Sequence, residues 1–395
     1  MMKKIHKMVF ISSLTAIAGG AVAPAVFAAG ISVSPAAPSG AAATFIYSDA
    51  TAKPMPLPMA KTAPAAMSAY AVSPFSGPPG FQVGALGSGV MSPVNLGTSG
   101  ASAQDMASPL MVSPQEFGTS NHPFTTAPVD LVGTPANAVS LRYPYRATGK
   151  LYFKKPNGAS YVCSASLIKK GLIVTAAHCV TKYGGTLPRW YNSWQFVPAK
   201  YDGLAPYGIW NASIARVMSV YYNGTDSCAA GAPGVVCRND IAILTVTPKS
   251  GVYPGKTTGW YGWGYNGYGF SGTNLALINQ LGYPASHNSG NRMQRTDSQG
   301  FISAANVNNT VWGSRQTGGS SGGPELVNLS PIPGATLSGG ILLGAEPQAD
   351  TVVGVTSWGY TNQAVKQQGA SAFTNTNILA LVNAACAATP AACAP

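Results

Sequence analysis

The sequence predicts a mostly-β fold of two antiparallel barrels with a C-terminal helix, and three observations carry that prediction. From Leu141 onward, short apolar runs of strand length are punctuated by Gly, Pro, Asn and Ser. The stretch that shows this pattern spans about 250 residues, enough for two barrels with their connections. A compositional boundary near residue 126 separates it from what precedes: nine of the 11 methionines fall before that point, and Ala, Pro, Ser, Gly and Met dominate residues 29–125.

Taken in order, residues 1–28 read as a signal peptide. Lys3, Lys4 and Lys7 precede an apolar run of small residues that ends at Val26-Phe27-Ala28, where small side chains suit cleavage. Ser12, Ser13, Thr15, Gly19, Gly20 and Pro24 interrupt the run, and its length is marginal for a membrane span, so export without stable membrane insertion is expected. Residues 29–125 carry only Asp49, Lys53, Lys61, Asp105 and Glu116 as charges. A segment with so little to bury is expected to be disordered, as a prosegment or a linker. Residues 126–395 then form the folded part, with barrels near 140–250 and 256–375 joined at 248–256. Strands are predicted at 147–153, 161–168, 172–175, 214–221, 241–246, 299–302, 340–343 and 351–357. One helix is predicted at 377–388, with Ile378, Leu381 and Val382 on one face and Pro390 beyond its end.

Three segments carry chemistry. Thr317-Gly318-Gly319-Ser320-Ser321-Gly322-Gly323-Pro324 sets a serine among small residues that leave the backbone accessible. Val174-Thr175-Ala176-Ala177-His178-Cys179 supplies a base, and Asn239-Asp240-Ile241-Ala242 supplies an acid to orient it. Ser321 as nucleophile, His178 as base and Asp240 as its partner make a triad in the order His, Asp, Ser. Order then discriminates between scaffolds. The four histidines are His6, His122, His178 and His287, and none follows Ser321, which excludes an α/β-hydrolase despite the Gly319-to-Gly323 match to its serine motif. A subtilisin-like order would need Asp130, which sits in a Pro-Val-Asp-Leu-Val-Gly-Thr-Pro context with no strand to hold it.

These segments, together with Cys163-Ser164-Ala165-Ser166-Leu167-Ile168 and Val353-Gly354-Val355-Thr356-Ser357-Trp358-Gly359, resemble the chymotrypsin/trypsin-like serine endopeptidases, in the family's order across residues 140–380. Phe196-Val197-Pro198, Pro206-Tyr207-Gly208 and Gly282-Tyr283-Pro284 resemble a bacterial secreted branch that includes glutamyl endopeptidases. The resemblance implies two six-stranded barrels with the active site in the cleft between them. It implies an oxyanion site at the amides of Gly319 and Ser321, and substrate-backbone pairing at Ser357, Trp358 and Gly359. It also places Arg315, six residues before Ser321, at the base of the specificity pocket, where an arginine matches an acidic side chain.

Two departures stand out. Ser320 replaces the aspartate that animal zymogens use to capture a new N-terminus, so control by a prosegment would need another device, such as occlusion. Thr356 replaces a histidine of the glutamyl-specific enzymes. Six cysteines in an exported chain point to disulfides rather than metal binding, and the residues alone leave fifteen pairings open. Proximity and the resemblance favour Cys163 with Cys179, Cys228 with Cys237, and Cys386 with Cys393.

The net charge is +12. Residues 126–395 hold a surplus of 10 positive charges (18 Lys and Arg against 8 Asp and Glu), scattered rather than clustered. A solvated basic surface is expected, not a nucleic-acid site. No cofactor or metal is called for, the partners expected are protein or peptide substrates, and a monomer outside the cell is anticipated. The alternative reading is a protease-fold binding or surface protein with little turnover.

Overall fold

The computed structural model describes residues 30–36, 47–61, 75, 77–96, 118–130, 137–330 and 348–395. The proposed signal peptide and the strand expected at 340–343 lie outside the described residues.

The first barrel is built from β1 (Thr148–Lys154), β2 (Ser160–Lys169), β3 (Leu172–Thr175), β4 (Asn192–Pro198), β5 (Trp210–Met218) and β6 (Ala242–Val246). Antiparallel ladders run β5-β4-β1-β2-β3-β6. A ladder between β6 and β5 closes the ring of six strands, and edges stay open only where strand ends run past their neighbours. Val162–Ile168 of β2 are buried without alternation, because one face fills the barrel while the other meets the second half of the molecule.

The second half contains β7 (Gly262–Tyr265), β8 (Leu275–Gly282), β9 (Gln294–Ser303), β10 (Asn309–Gly313), β11 (Pro324–Val327), β12 (Thr351–Val355), β13 (Trp358–Tyr360) and β14 (Gln367–Ala370). Ladders connect β13-β14-β10-β9-β8-β11-β12, all antiparallel. β12 and β13 are one continuous run of chain that changes partner midway: Thr356 N–H donates to Gly323 O, and Ser357 N–H to Gly369 O. The run 351–360 thus pairs with β11 through its first half and β14 through its second, closing a second six-stranded ring. β7 adds outside it, parallel to β12.

The C-terminal helix α1 (Ala380–Ala388) continues a wider turn at Asn375–Leu379. Thr374 and Asn377 cap that turn reciprocally. Ile378, Leu381, Val382 and Ala385 fall on the buried face and pack against the first barrel, and the Cys386–Cys393 bridge fastens the end.

Residues 29–125 correct the expectation of disorder wherever they are described. Ile31–Val33 adds antiparallel to β5, Gly80–Gln82 to β7, and Phe124–Pro128 to β9; Lys53–Pro54 adds parallel to β2, and Met59–Ala60 parallel to β13. The sequence lacks apolar mass for a core of its own, but these pieces need none, since the barrels supply both the hydrogen-bonding edges and the apolar surface.

Asp49 anchors this leader electrostatically. Its carboxylate lies 2.6 Å from Lys150 Nζ and 2.7 Å from Lys200 Nζ, and accepts the Tyr152 hydroxyl at 2.7 Å. Both lysines are buried, so without the carboxylate two charges would stand uncompensated in the protein interior. Burial by itself would raise the Asp49 carboxyl, but the two ammonium groups hold it down at about 2. Asp49→Asn is therefore expected to destabilise the chain by about 3–5 kcal/mol, the scale for orphaning a buried charge. The folded value lies below the ordinary 3.8, so this contribution is complete above that pH and is lost as pH falls towards 2. Thermal unfolding of both forms across that range checks it; equal melting temperatures at neutral pH would contradict it.

Candidate active site

The three candidate residues come from three separate elements that meet at the seam between the barrels. His178 sits on a single tight turn, Ala177–Cys179, immediately after β3. Asp240 lies two residues before β6, whose ladder with β3 brings the two together. Ser321 lies in the turn leading into β11.

Asp240 is 1% exposed and accepts three hydrogen bonds. Its Oδ1 accepts the His178 backbone N–H at 2.8 Å, and its Oδ2 accepts His178 Nδ1–H at 2.7 Å and the Ser357 hydroxyl. Its own N–H donates to Ser371 Oγ at 2.9 Å, and Ser371 in turn donates to Cys237 O at 2.8 Å. Burial alone would raise this carboxyl; the His178 ring, with the hydrogen bonds from His178 and Ser357, outweighs it and lowers it below the usual carboxylate range. Asp240 is thus an ionised acceptor that pins the Nδ1 proton and leaves Nε2 as the basic nitrogen. His178 Nε2 and Ser321 Oγ are both buried and make no hydrogen bond in this structure.

The serine loop is held by its neighbours' backbones. Ser321 O accepts Ser164 N–H of β2 at 2.7 Å, and Gly322 N–H donates to Thr356 O at 2.7 Å. Ser164 Oγ donates to Gly319 O at 2.8 Å and accepts Tyr283 N–H at 2.9 Å. Ser164 therefore ties the loop to both barrels, a role its position in the Cys163-Ser164-Ala165 motif signals only by proximity. Ser320 is occupied locally, its hydroxyl donating to Thr317 O at 2.7 Å.

The Cys163–Cys179 bridge joins β2 to the histidine turn. A loop of that size is worth about 3 kcal/mol in the chain-entropy account. Cys228–Cys237 closes the segment just before Asp240. Cys163, His178 and Cys179 bring their ligand-type atoms within 4.8 Å of one another, as do Asp226, Cys228 and Cys237. In both groups the sulfurs are spent in disulfides and offer no thiolate, so neither set fits a metal.

Gly319 N–H donates at 3.0 Å to the carbonyl of Met55. A peptide carbonyl from the leader thus stands on the donor that the sequence marks for a substrate carbonyl. Gly359 has Leu57 and Met59 as neighbours, and its N–H donates to Pro58 O at 2.9 Å. The side chain of Trp358 is buried in a core with Phe301 and Val311, its Nε1–H donating to Asn309 Oδ1 at 2.7 Å, so only its backbone faces the cleft strand.

Arg315 is half-buried in the loop ahead of Ser321. Around that loop lies a buried polar network absent from the sequence reading. Gln280 Nε2 donates to Thr356 Oγ1 at 2.9 Å and to Gln368 Oε1 at 2.6 Å, Ser314 donates to Gln280 Oε1 at 2.8 Å, and Gln316 Nε2 donates to Thr296 Oγ1 at 3.0 Å. The alternative acid Asp130 is engaged elsewhere, accepting the backbone N–H groups of Val139 and Ser140.

No known protein-family model matches the chain. Over 143 residues it is 26% identical to an extracellular metalloprotease of Bacillus subtilis (strain 168), a stretch that makes up 35% of this chain and 40% of that protein. The chain therefore spans less than half the length of this curated relative. Among solved structures it is similar to protease Anisep from Arthrobacter nicotinovorans (TM-score 0.45, 21% identity, 62% of this chain and 95% of that one). It is also similar to a Glu endopeptidase solved with MPD (TM-score 0.43, 19% identity, 67% and 96%) and to the thermostable serine protease AL20 (TM-score 0.43, 18% identity, 62% and 97%).

Gly322 offers a test of how tightly the serine loop is packed. It has φ +78°, and a Cβ there would lie 1.9 Å from Thr175 Oγ1 and 2.4 Å from Ser164 O. Gly322→Ala is expected to cost about 3 kcal/mol or more through the strained backbone and the clash together. Chemical denaturation measures it, and a loss below about 1 kcal/mol would show a looser loop.

Proposed function

We propose that the chain is a secreted serine endopeptidase that uses Ser321, His178 and Asp240. The observation that carries this reading is the buried Asp240–His178 pair, with the second imidazole nitrogen and the Ser321 hydroxyl buried nearby and uncommitted. The segment beginning with Lys3, Lys4 and Lys7 supports export, and among the described residues no helix is long and apolar enough to cross a membrane.

In this mechanism His178 Nε2 takes the Ser321 hydroxyl proton as Oγ attacks the peptide carbonyl carbon. The carbonyl π electrons move to oxygen, and the N–H groups of Gly319 and Ser321 stabilise the resulting oxyanion; losing one such donor costs about a hundredfold or more. The C–N bond then breaks, the leaving amine takes the proton from His178, and an acyl-serine remains. Water, deprotonated by the same imidazole, attacks the ester carbon; the C–Oγ bond breaks, His178 returns the proton to Oγ, and the carboxylic acid product leaves with Ser321 regenerated. Asp240 keeps the ring in the productive tautomer and balances the imidazolium charge.

Ser321→Ala should abolish labelling by an organophosphonate probe and lower peptide hydrolysis by about ten-thousandfold or more, and Asp240→Asn should approach that loss by pinning the wrong tautomer. Retained labelling in Ser321→Ala would overturn the assignment.

For specificity we propose a preference for Glu or Asp before the scissile bond. Arg315, the charged residue nearest before Ser321, supports it, as does the positive charge of residues 126–395. A peptide-library profile of Arg315→Ala should lose the acidic preference; an unchanged profile would remove Arg315 from the pocket.

A further inference from the structure

The leader segment Lys53–Lys61 lies across the candidate active site in a defined register. Lys53–Pro54 pairs parallel with Tyr161 and Val162, and Met55 N–H donates to Val162 O at 2.8 Å. The chain then crosses to the serine loop, where Gly319 N–H donates to Met55 O at 3.0 Å. It ends on β13, where Gly359 N–H donates to Pro58 O at 2.9 Å and Thr361 N–H to Ala60 O at 3.0 Å. Along this path Met55, Leu57 and Ala60 are buried, whereas Lys53, Pro54, Pro56 and Lys61 are exposed.

From this placement we infer that residues 53–61 are a built-in inhibitor that occupies the substrate cleft with its chain parallel to β13. The inference rests on the reading of Ser321 and Gly319 as nucleophile and oxyanion donor. It adds the identity of the occupant and the reason it survives.

Two features keep the segment from acting as a substrate. The peptide bonds after Met55 and Leu57 are both X-Pro bonds, so a leaving nitrogen there carries a ring carbon in place of hydrogen. The carbonyl on Gly319 N–H is therefore followed by a tertiary amide. The alternating prolines also hold the segment extended and remove N–H donors, so its pairing with the cleft is dominated by its carbonyls. Four residues upstream of Lys53, Asp49 is locked to Lys150 and Lys200, fixing where the segment enters the cleft.

The test uses the full chain and two readouts. The organophosphonate should label Ser321 in the wild type at least about tenfold more slowly than in Leu57→Asp, which places a charge against Gly359 and expels the segment. Lys61→Ala, at an exposed position whose side chain takes no part in the contacts, should label at the wild-type rate. Equal labelling of wild type and a folded Leu57→Asp would overturn the inference while leaving the nucleophile assignment intact. Absence of Ser321 labelling in a folded Leu57→Asp, with hydrolysis also absent, would overturn the catalytic reading on which it rests. If Leu57→Asp fails to fold, hydrogen exchange on the wild-type chain decides: the amides of Gly319, Gly359 and Thr361 should be protected together, and exchange at the rate of open amides would overturn the inference.

Discussion

A buried carboxylate must be surrounded by donors or it will not stay ionised, and that requirement at Asp240 organises the seam of this molecule. Its donors come from both barrels. His178 reaches it from the turn after β3, Ser357 from the junction of β12 and β13, and Ser371 receives its amide from the chain after β14. The same junction in the run 351–360 also closes the second barrel, since Thr356 faces Gly323 and Ser357 faces Gly369. Closing the ring and solvating the carboxylate are therefore one structural event. Loss of the His178 ring would leave the buried Asp240 carboxylate without its counter-group and one of its three donors.

A second buried charge cluster ties the leader to the first barrel. Lys150 and Lys200 have no reason to be buried in an isolated barrel, and Asp49 of the leader supplies the counter-charge. The folded unit therefore includes parts of residues 29–125, which extend the exposed edges of both sheets and cover the cleft. On the proposed reading of the site, such a leader would give control by occlusion, which needs only an edge at β13 and a donor at Gly319, where Ser320 stands in place of the aspartate that an N-terminal ion pair would use.

The segments that meet at the candidate site were legible from sequence because the proposed chemistry demands particular residues in particular backbone contexts. Gly319 and Gly322 have φ of +94° and +78° and sit within reach of other backbones, so the serine loop tolerates little variation. The apolar runs of β2, β3 and β6 were equally plain, β3 and β6 being buried throughout and β2 from Val162 to Ile168. What escaped included β8, β10 and β14, whose short apolar runs are broken or bounded by Asn, Gln or Gly and whose place in the sheet also depends on ladders to distant partners. The predicted strand 214–221 overran its end, because Gly224 closes a short helix at Ser219–Asn223. The leader was misread for a related reason. Pro54-Met55-Pro56-Leu57-Pro58-Met59 alternates proline with large apolar residues, a period-two signal for an extended chain with one buried face, but its composition resembles disorder.

The central claim is that Asp240 holds His178 with its proton on Nδ1 and its lone pair on Nε2. Nitrogen-15 NMR of the histidine-labelled full chain at neutral pH tests this most directly, with His178→Gln identifying the resonance. The account predicts a protonated Nδ1 coupled to a strongly hydrogen-bonded proton and an unprotonated Nε2. A neutral ring with its proton on Nε2 would contradict it.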